Sequence, residues 1–321
     1  WHLGHTLESH TPNSRGFDDF FGHLHTQVFY FTHKTSGGHD LQHNGTSVRR
    51  DGKYMTDVHG DEATRYIKQR DKDKPCFLYV PFLAPHSPME APRELIGKYS
   101  DRELVELPLS NPLRKSISPQ QMKQVQQVYA AMVDSMDQAI GQIFDALESE
   151  GVADNTIVLF YSDNGGYYNF GGDNSPLRGQ KLEPFEGGIR VNALIRWPDV
   201  LPGNTVNDAF ISVMDVLPTL ATATGVPSLH TKDIDGRDRW DAVTGTGEIW
   251  RGEPLFFTSN IPTYNVFKYG VLDQNWKLIQ TVDHQRRTTH VETMLFDIMA
   301  DPNEENDLAS QHPEQVQRLQ D

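Results

Sequence analysis

Two hard oxygen donors and two glycines close an apolar run: Thr156-Ile157-Val158-Leu159-Phe160-Tyr161 leads into Ser162-Asp163-Asn164-Gly165-Gly166. The run reads as a central strand covered on both faces, and the carboxyl end of such a strand is where open α/β sheets hold ligands. A carboxylate desolvated there without a partner is costly, so a cation is expected to meet it. Asp163 and Asn164 offer a carboxylate and an amide carbonyl, the donor types that Ca²⁺ or Mg²⁺ takes. The glycines let the backbone turn sharply and approach a bound group. The same residue types also form ordinary turns, and the neighbouring sequence decides between the two. Pro176-Leu177-Arg178-Gly179-Gln180-Lys181 and Glu186-Gly187-Gly188-Ile189-Arg190 bring three cations, Arg178, Lys181 and Arg190, suited to a tetrahedral oxyanion. A second apolar run, residues 76–83, ends on Ala84-Pro85-His86-Ser87-Pro88. A histidine held between prolines suits a group that must meet a reacting atom; a surface histidine in a proline-rich loop is the plain alternative.

Read together, five motifs resemble the type I sulfatases. They are Trp1-His2-Leu3-Gly4, the run from Arg15-Gly16-Phe17-Asp18 to Phe20-Phe21-Gly22, Ala84-Pro85-His86-Ser87-Pro88, Ser162-Asp163-Asn164-Gly165-Gly166, and Leu177-Arg178-Gly179-Gln180-Lys181 with its Glu186-Gly187-Gly188-Ile189-Arg190 sequel. Their order is most similar to arylsulfatase B and its polysaccharide-desulfating relatives. The likeness runs on through Lys277-Leu278-Ile279, Leu295-Phe296-Asp297 and Asp301-Pro302. The resemblance implies an α/β, alkaline phosphatase-like fold: a mixed, largely parallel sheet between helices, with a small C-terminal antiparallel α+β subdomain. It also implies one divalent cation, usually Ca²⁺, and a formylglycine made from Cys or Ser in a Cys/Ser-x-Pro-x-Arg motif, whose hydrated aldehyde attacks sulfur before sulfate is eliminated. Carried over by position, Asp163 and Asn164 correspond to metal ligands, and Lys181 to the lysine on the sulfate. His86 corresponds to the histidine that contacts the ester and protonates the leaving alcohol, and His2 to the one paired with the formylglycine hydroxyl. The implied partner is a sulfated carbohydrate or aryl sulfate ester, and the implied setting is secreted, periplasmic or lysosomal.

The departures from that pattern matter as much. The family places a lysine two residues before the first histidine, and this chain opens on Trp1, inside that motif. Two N-terminal aspartates of the metal site and the formylglycine motif are not found. Cys76, the single cysteine, precedes Phe77-Leu78 in an apolar run and reads as a small buried hydrophobe. Ser110-Asn111-Pro112-Leu113-Arg114 fits the motif by letter, but it lies downstream of His86 in a polar connection, whereas the family's motif precedes the Trp-His pair and opens a helix. The expectation is a fragment of a longer protein, inactive alone because its nucleophile and half of its metal ligands lie elsewhere.

Composition sets the remaining bounds. The chain has 321 residues, 37% of them hydrophobic, enough for a sizeable core in one large or two smaller domains. A formal charge of −15 disfavours nucleic acid as a partner, and no apolar run approaches the roughly 20 residues that span a bilayer. One cysteine cannot form an intramolecular disulfide.

The elements that must position these residues alternate between α and β up to residue 250. The strongest helix runs from Pro119 to Gly151, with Ser118 as N-cap and an apolar stripe of Val125, Val128, Tyr129, Met132, Val133, Met136, Ile140, Ile143 and Leu147. Between the His86 and Asp163 strands it would make a β-α-β unit with parallel neighbours. Shorter helices are expected over 61–69 and 213–224. Short strands then follow at 255–258, 268–272, 276–281 and 293–297, with a terminal helix after Pro313. Residues 1–250 therefore read as the catalytic domain and 251–321 as a C-terminal subdomain, joined near Thr244-Gly245-Thr246-Gly247-Glu248.

Nine of the 14 histidines fall in the first 59 residues. Without cysteines or a helical His-x-x-x-His pair, a zinc site is the weaker explanation. His33 and Arg49 are instead expected, with Tyr30, to rim the pocket and touch sugar hydroxyls or a second sulfate. Asn44-Gly45-Thr46 forms a glycosylation sequon by letter. Two other functions stay open: a noncatalytic relative that binds sulfated glycans, and a phosphoester hydrolase of the same superfamily, which commonly holds two metals.

Overall fold

The computed structural model describes residues 1–101, 103, 118–226, 234–261, 266–284 and 289–321. The chain packs as two compact units: Trp1–Thr156 with Tyr167–Asp173, and Ile157–Gly166 with Asn174–Asp321. This grouping by packing is separate from the division at residue 250, which marks a change in strand pattern. Among the described residues no helix is long and apolar enough to cross a membrane.

In the first unit β1 (Phe21–Gly22), β4 (Gln42–His43) and β5 (Thr46–Ser47) form one small antiparallel sheet, and β2 (Lys34–Thr35) pairs with β3 (Gly38–His39). The sequon lies in the β4–β5 turn. Both ends of the Asn44 amide are engaged there: Nδ2 donates to Asp19 Oδ1 at 2.9 Å, and Oδ1 accepts from the Phe20 amide at 2.8 Å. Helix α1 (Met55–Gln69) starts six residues earlier than expected, and α2 (Arg93–Lys98) and α3 (Pro119–Ser149) follow. The start of α3 is set by its sequence. Ser118 Oγ accepts from the Gln121 amide at 3.2 Å, Gln121 Oε1 accepts from the Ser118 amide at 3.0 Å, and Pro119 occupies the first turn. Gly151, at φ +67°, takes the left-handed conformation past its end. Ser118→Ala is expected to cost about 1 kcal/mol of stability, read as a lower denaturation midpoint for the first unit in chemical unfolding.

The buried face of α3 differs from the expected stripe. Met132 and Leu147 are buried, but the rest of the face is Met122, Gln126, Ala130, Ala131, Ser135, Ala139 and Ala146, while Val133 is exposed. The reason is close approach of α1, because interhelical distance follows the size of the contact residues. A Cβ on Gly60 of α1 would come 2.8 Å from the Ala139 Cβ. The core beside this contact gathers Val28, Tyr30, Leu41, Tyr54, Met55, Ala84 and Ala91 with Ala131 and Met132.

Residues 76–83 depart further from expectation. They form no strand among the described residues, Phe77 and Tyr79 are 69% and 57% exposed, and Cys76 is exposed rather than buried. Apolar composition favours burial, but a strand also needs a ladder with a second strand, and among the described residues no ladder includes this segment.

The second unit contains β6 (Val158–Tyr161), α4 (Glu186–Ile189), β7 (Ala193–Arg196), α5 (Val216–Ala223), α6 (Trp240–Val243) and α7 (Pro313–Gln320). The 213–224 helix is realised as a short 3-10 turn, Val213–Asp215, running into α5. β6 pairs antiparallel with β7, and every ladder among the described residues is antiparallel, so the expected parallel partner of β6 is not among them. Strands β8 (Leu255–Ile261), β9 (Val266–Asp273), β10 (Trp276–Asp283) and β11 (His290–Asp297) form a meander in the order β11-β10-β9-β8. Its two faces alternate as strand geometry requires. Leu272, Ile279 and Phe296 pack with Phe185 on one side, and Leu278 and Leu295 pack with Leu319 of α7 on the other.

Candidate active site

The register of β6 and β7 brings the second unit's chemical residues to one end of that ladder. Tyr161 is opposite Ala193, so residues 162–166 leave the pair where residues 186–192 enter it. There the backbone ties a knot. The Gly165 amide donates to Gly188 O at 3.0 Å, the Lys181 amide to Gly166 O at 3.1 Å, and the Gly187 amide to Arg178 O at 2.7 Å. The glycines serve packing rather than sharp turning. A Cβ on Gly165 would collide with Gly187 O, one on Gly188 with Glu183 O, and one on Gly187 would lie 2.5 Å from Gly179 O. None of these three has a positive φ. What their missing side chains admit is the neighbouring backbone.

Asn174 staples the knot. Its Oδ1 accepts from the Gly166 amide at 2.7 Å, and its Nδ2 donates to Gly166 O at 2.9 Å and Gly179 O at 3.1 Å. Fixed in this way, Asp163 is exposed and, among the described residues, has no hydrogen bond or ion pair. Asn164 uses its amide nitrogen on Gly165 O at 2.9 Å, which leaves the carbonyl oxygen as its free donor. The Lys181 side chain is half-buried and, among the described residues, forms no ion pair. Two hard oxygens and a free ammonium thus stand on one glycine-packed scaffold.

Beneath the knot lies a charged cluster that the sequence did not announce. Lys277, fully buried on β10, places Nζ 2.8 Å from Glu186 Oε1 and 2.8 Å from Glu304 Oε1. Glu304, also fully buried and at φ +56°, accepts the Glu186 amide on Oε2 at 2.6 Å. Its carboxyl is held above the usual carboxylate range, chiefly by burial, with Lys277 opposing. Arg178, expected near the substrate, is an anchor here. It donates to Glu304 O at 2.9 Å and its guanidinium sits 4.1 Å from the Phe185 ring centre. Asn174, Lys277 and Glu304 escaped sequence reading, since charged and amide residues far apart in the chain read as surface. The glycine spacing around residues 165, 187 and 188 was the only signal of a tight scaffold needing anchors.

In the first unit His86 is exposed, and its Nδ1 lies 2.8 Å from Ser87 O. That bond makes Nδ1 the donor and leaves Nε2 free. The loop is held by Tyr30, whose hydroxyl donates to His86 O at 2.8 Å. His2 is exposed, while the Trp1 indole beside it donates to His10 O at 2.7 Å. Arg49 is exposed, 3.8 Å from Asp51. His33 differs from expectation: it is fully buried, its Nε2 lies 3.1 Å from Lys53 O, and burial lowers its pKa. Such a ring packs the core and is not available to a sugar. His23 is buried as well, with its pKa lowered to about 4, mainly by burial. A cleft of about 570 Å³ bounded by Phe31, Lys53, Tyr54, Asp57 and Arg93 contains none of the expected site residues. Among the described residues, no three His, Cys, Asp or Glu side chains converge on one metal position. The donor set of Asp163 and Asn164 suits a hard cation but supplies only two of its ligands. Ser110-Asn111-Pro112-Leu113-Arg114 lies outside the described residues.

Comparison with known proteins bears on this arrangement. The sequence model of the Sulfatase family matches residues 1–226, and that of the N-sulphoglucosamine sulphohydrolase C-terminal region matches 181–320. Arylsulfatase J of Mus musculus is 30% identical, covering 99% of this chain and 57% of its own length. A sulfatase of Formosa agariphila is 31% identical, covering 82% of this chain and 47% of its own. The chain therefore spans about half the length of these curated relatives. Among solved structures Ps i-CgsB, also determined in complex with k-i-k-neocarrahexaose, is 27% identical with a TM-score of 0.82, covering 99% of this chain and 68% of that one. The shared fold is the alkaline phosphatase-like one, mixed α/β with a C-terminal antiparallel sheet. With the family's sequence model matching residues 1–226 and the glycine knot carrying Asp163, Asn164 and Lys181 together, the chain belongs to the sulfatase family.

Proposed function

We propose that the full-length protein containing this chain is a sulfuric ester hydrolase that removes sulfate from a sulfated carbohydrate, with Ca²⁺ held in part by Asp163 and Asn164. The observation that carries this reading is the Lys181 amide to Gly166 O bond, which fixes an unpaired ammonium on the same scaffold as two hard oxygen donors. The carbohydrate class is supported by Ps i-CgsB, whose structure was solved with a neocarrahexaose.

Lys181 binds and orients a sulfuryl oxygen and stabilises the negative charge that grows there. A cation bound at Asp163 and Asn164 would supply further charge neutralisation on the same group. His86 already uses its Nδ1 proton on Ser87 O, so it serves as general acid in its imidazolium form, which delivers the second proton, on Nε2, to the leaving alcohol oxygen and returns to the neutral ring. His2, exposed near Trp1, orients the nucleophile's hydroxyl. The nucleophile is expected to be formylglycine.

A leaving-group comparison tests the role of His86. In the full-length protein, His86→Gln should lower turnover of a sulfated sugar by about 10²-fold or more, because an alkoxide leaves poorly without a proton. Turnover of 4-nitrophenyl sulfate, whose phenolate leaves unaided, should fall much less. An equal loss on both substrates would remove His86 from proton transfer. Wild-type protein that binds sulfated oligosaccharide without releasing sulfate would instead mark a glycan-binding relative.

A further inference from the structure

The cluster of Lys277, Glu186 and Glu304 has no part in the chemistry above, yet it is the most deeply buried charged group among the described residues. Its members come from three places in the chain: strand β10, the first residue of α4, and the segment after β11. Lys277 shares the β10 face of Ile279 and is cross-strand from Phe296 and Leu272. It enters an apolar layer only because two carboxylates meet it there. From Glu186 the covalent chain leads directly into Gly187 and Gly188, whose backbones carry the bonds to Arg178 O and Gly165 N. The Arg178 side chain returns to Glu304 O. The knot is therefore anchored to Glu304 twice, through the Glu186 amide and through Arg178.

We propose that Lys277 and Glu304 are positioning residues: they fix the Glu186–Gly188 backbone so that Asp163, Asn164 and Lys181 keep their common placement. The catalytic meaning of that placement rests on the sulfatase reading, but the placement itself can be measured without it. Breaking a buried ion cluster on one side leaves an uncompensated charge and shifts whatever it held. The two glutamates make different demands on their carboxylates. Glu186 offers Lys277 one acceptor, and its second oxygen faces exposed Arg190 at 3.8 Å. Glu304 must present two oxygens at once: Oε1 faces the Lys277 ammonium at 2.8 Å as an ion pair without hydrogen-bond geometry, and Oε2 accepts the Glu186 amide at 2.6 Å. A glutamine can meet the first demand and not the second, because it has one oxygen and one NH₂.

The test compares Glu304→Gln with Glu186→Gln in the full-length protein. Both remove one buried negative charge, so an effect of charge or general stability would strike them alike. Positioning predicts an asymmetry. In Glu304→Gln, amide hydrogen exchange in peptides containing Gly165, Lys181 and Gly188 should speed up at least tenfold at a temperature well below unfolding, while Glu186→Gln stays within about threefold of wild type. Ca²⁺ affinity by titration calorimetry should weaken at least fivefold in Glu304→Gln alone. Lys277→Met should reproduce Glu304→Gln if it folds, and the glutamine pair decides the matter if it does not. Wild-type exchange and Ca²⁺ affinity in folded Glu304→Gln, or equal losses in both variants, would overturn the proposal. Absence of sulfate release from the wild-type protein would overturn the catalytic reading and leave the exchange result standing.

Discussion

Full-length protein carrying Lys181→Ala is expected to lose about 10²–10³-fold in kcat/KM for a sulfate ester, equivalent to about 2.7–4 kcal/mol of transition-state stabilisation. The figure follows from the setting of the ammonium. Its backbone amide is fixed on Gly166 O, and its side chain has no ion pair among the described residues to weaken its attraction for an incoming anion. An ammonium with no ion pair among the described residues has no partner to give up on meeting a sulfuryl oxygen, and its charge acts where charge develops. For the same reason its removal should leave the fold intact, with the melting temperature within a degree or so of wild type. The measurement is sulfate release by ion chromatography alongside a thermal melt. Lys181→Arg should not restore activity, because a planar fork replaces a compact point charge in a space built by close-packed backbone. Unchanged rates in Lys181→Ala would remove the residue from the site.

The second large effect concerns stability. Gly165→Ala places a methyl group inside contact distance of Gly187 O, and the obstruction is backbone, which cannot swing aside as a side chain does. Relief requires residues 187 and 188 to withdraw, which breaks the Gly165 amide bond to Gly188 O. Overpacking typically costs 1–3 kcal/mol, and a lost backbone bond adds roughly 1 kcal/mol, so a loss of about 3 kcal/mol is expected. Chemical denaturation should show a lower midpoint for the second unit, while the first unit's transition stays in place. Gly52→Ala is a useful contrast, since a Cβ there meets nothing within 4 Å; its cost is confined to the positive φ of 84°. A wild-type denaturation midpoint for Gly165→Ala would refute the packing role assigned to this glycine.

Local features were readable from the sequence and long-range ones were not. The start of α3 was legible because its cap, Ser118, and its first-turn proline, Pro119, are adjacent in the sequence; the reciprocal bond of Gln121 was added by the structure. The four C-terminal strands were legible from alternation, though they run one to three residues beyond the expected ends where ladders continue into polar positions. Residues 76–83 failed because composition reports a preference for burial and says nothing of a pairing partner. The α3 stripe failed because a helix face is chosen by its neighbour, and Gly60 lets α1 press on alanines rather than on valines. Asp163, Asn164 and Lys181 were legible as chemistry, but the knot that joins them was not. Its anchors Lys277 and Glu304 lie 91 and 118 residues from Glu186.

Those separations bear on the order of assembly during synthesis. The β8–β11 meander pairs neighbours in sequence across short connections, so its contacts are cheap to close and form early once their residues are available. The bonds from Glu186 to Lys277 and Glu304 close far larger loops and form late. A ribosome that has released residue 188 has already delivered Asp163, Asn164 and Lys181, yet the backbone bearing them cannot settle until the chain has been extended past residue 304. From the synthesis of Lys181 until that of Glu304 the nascent chain therefore carries these residues on an unsecured loop, and cotranslational maturation of the site waits on residues made well after its own.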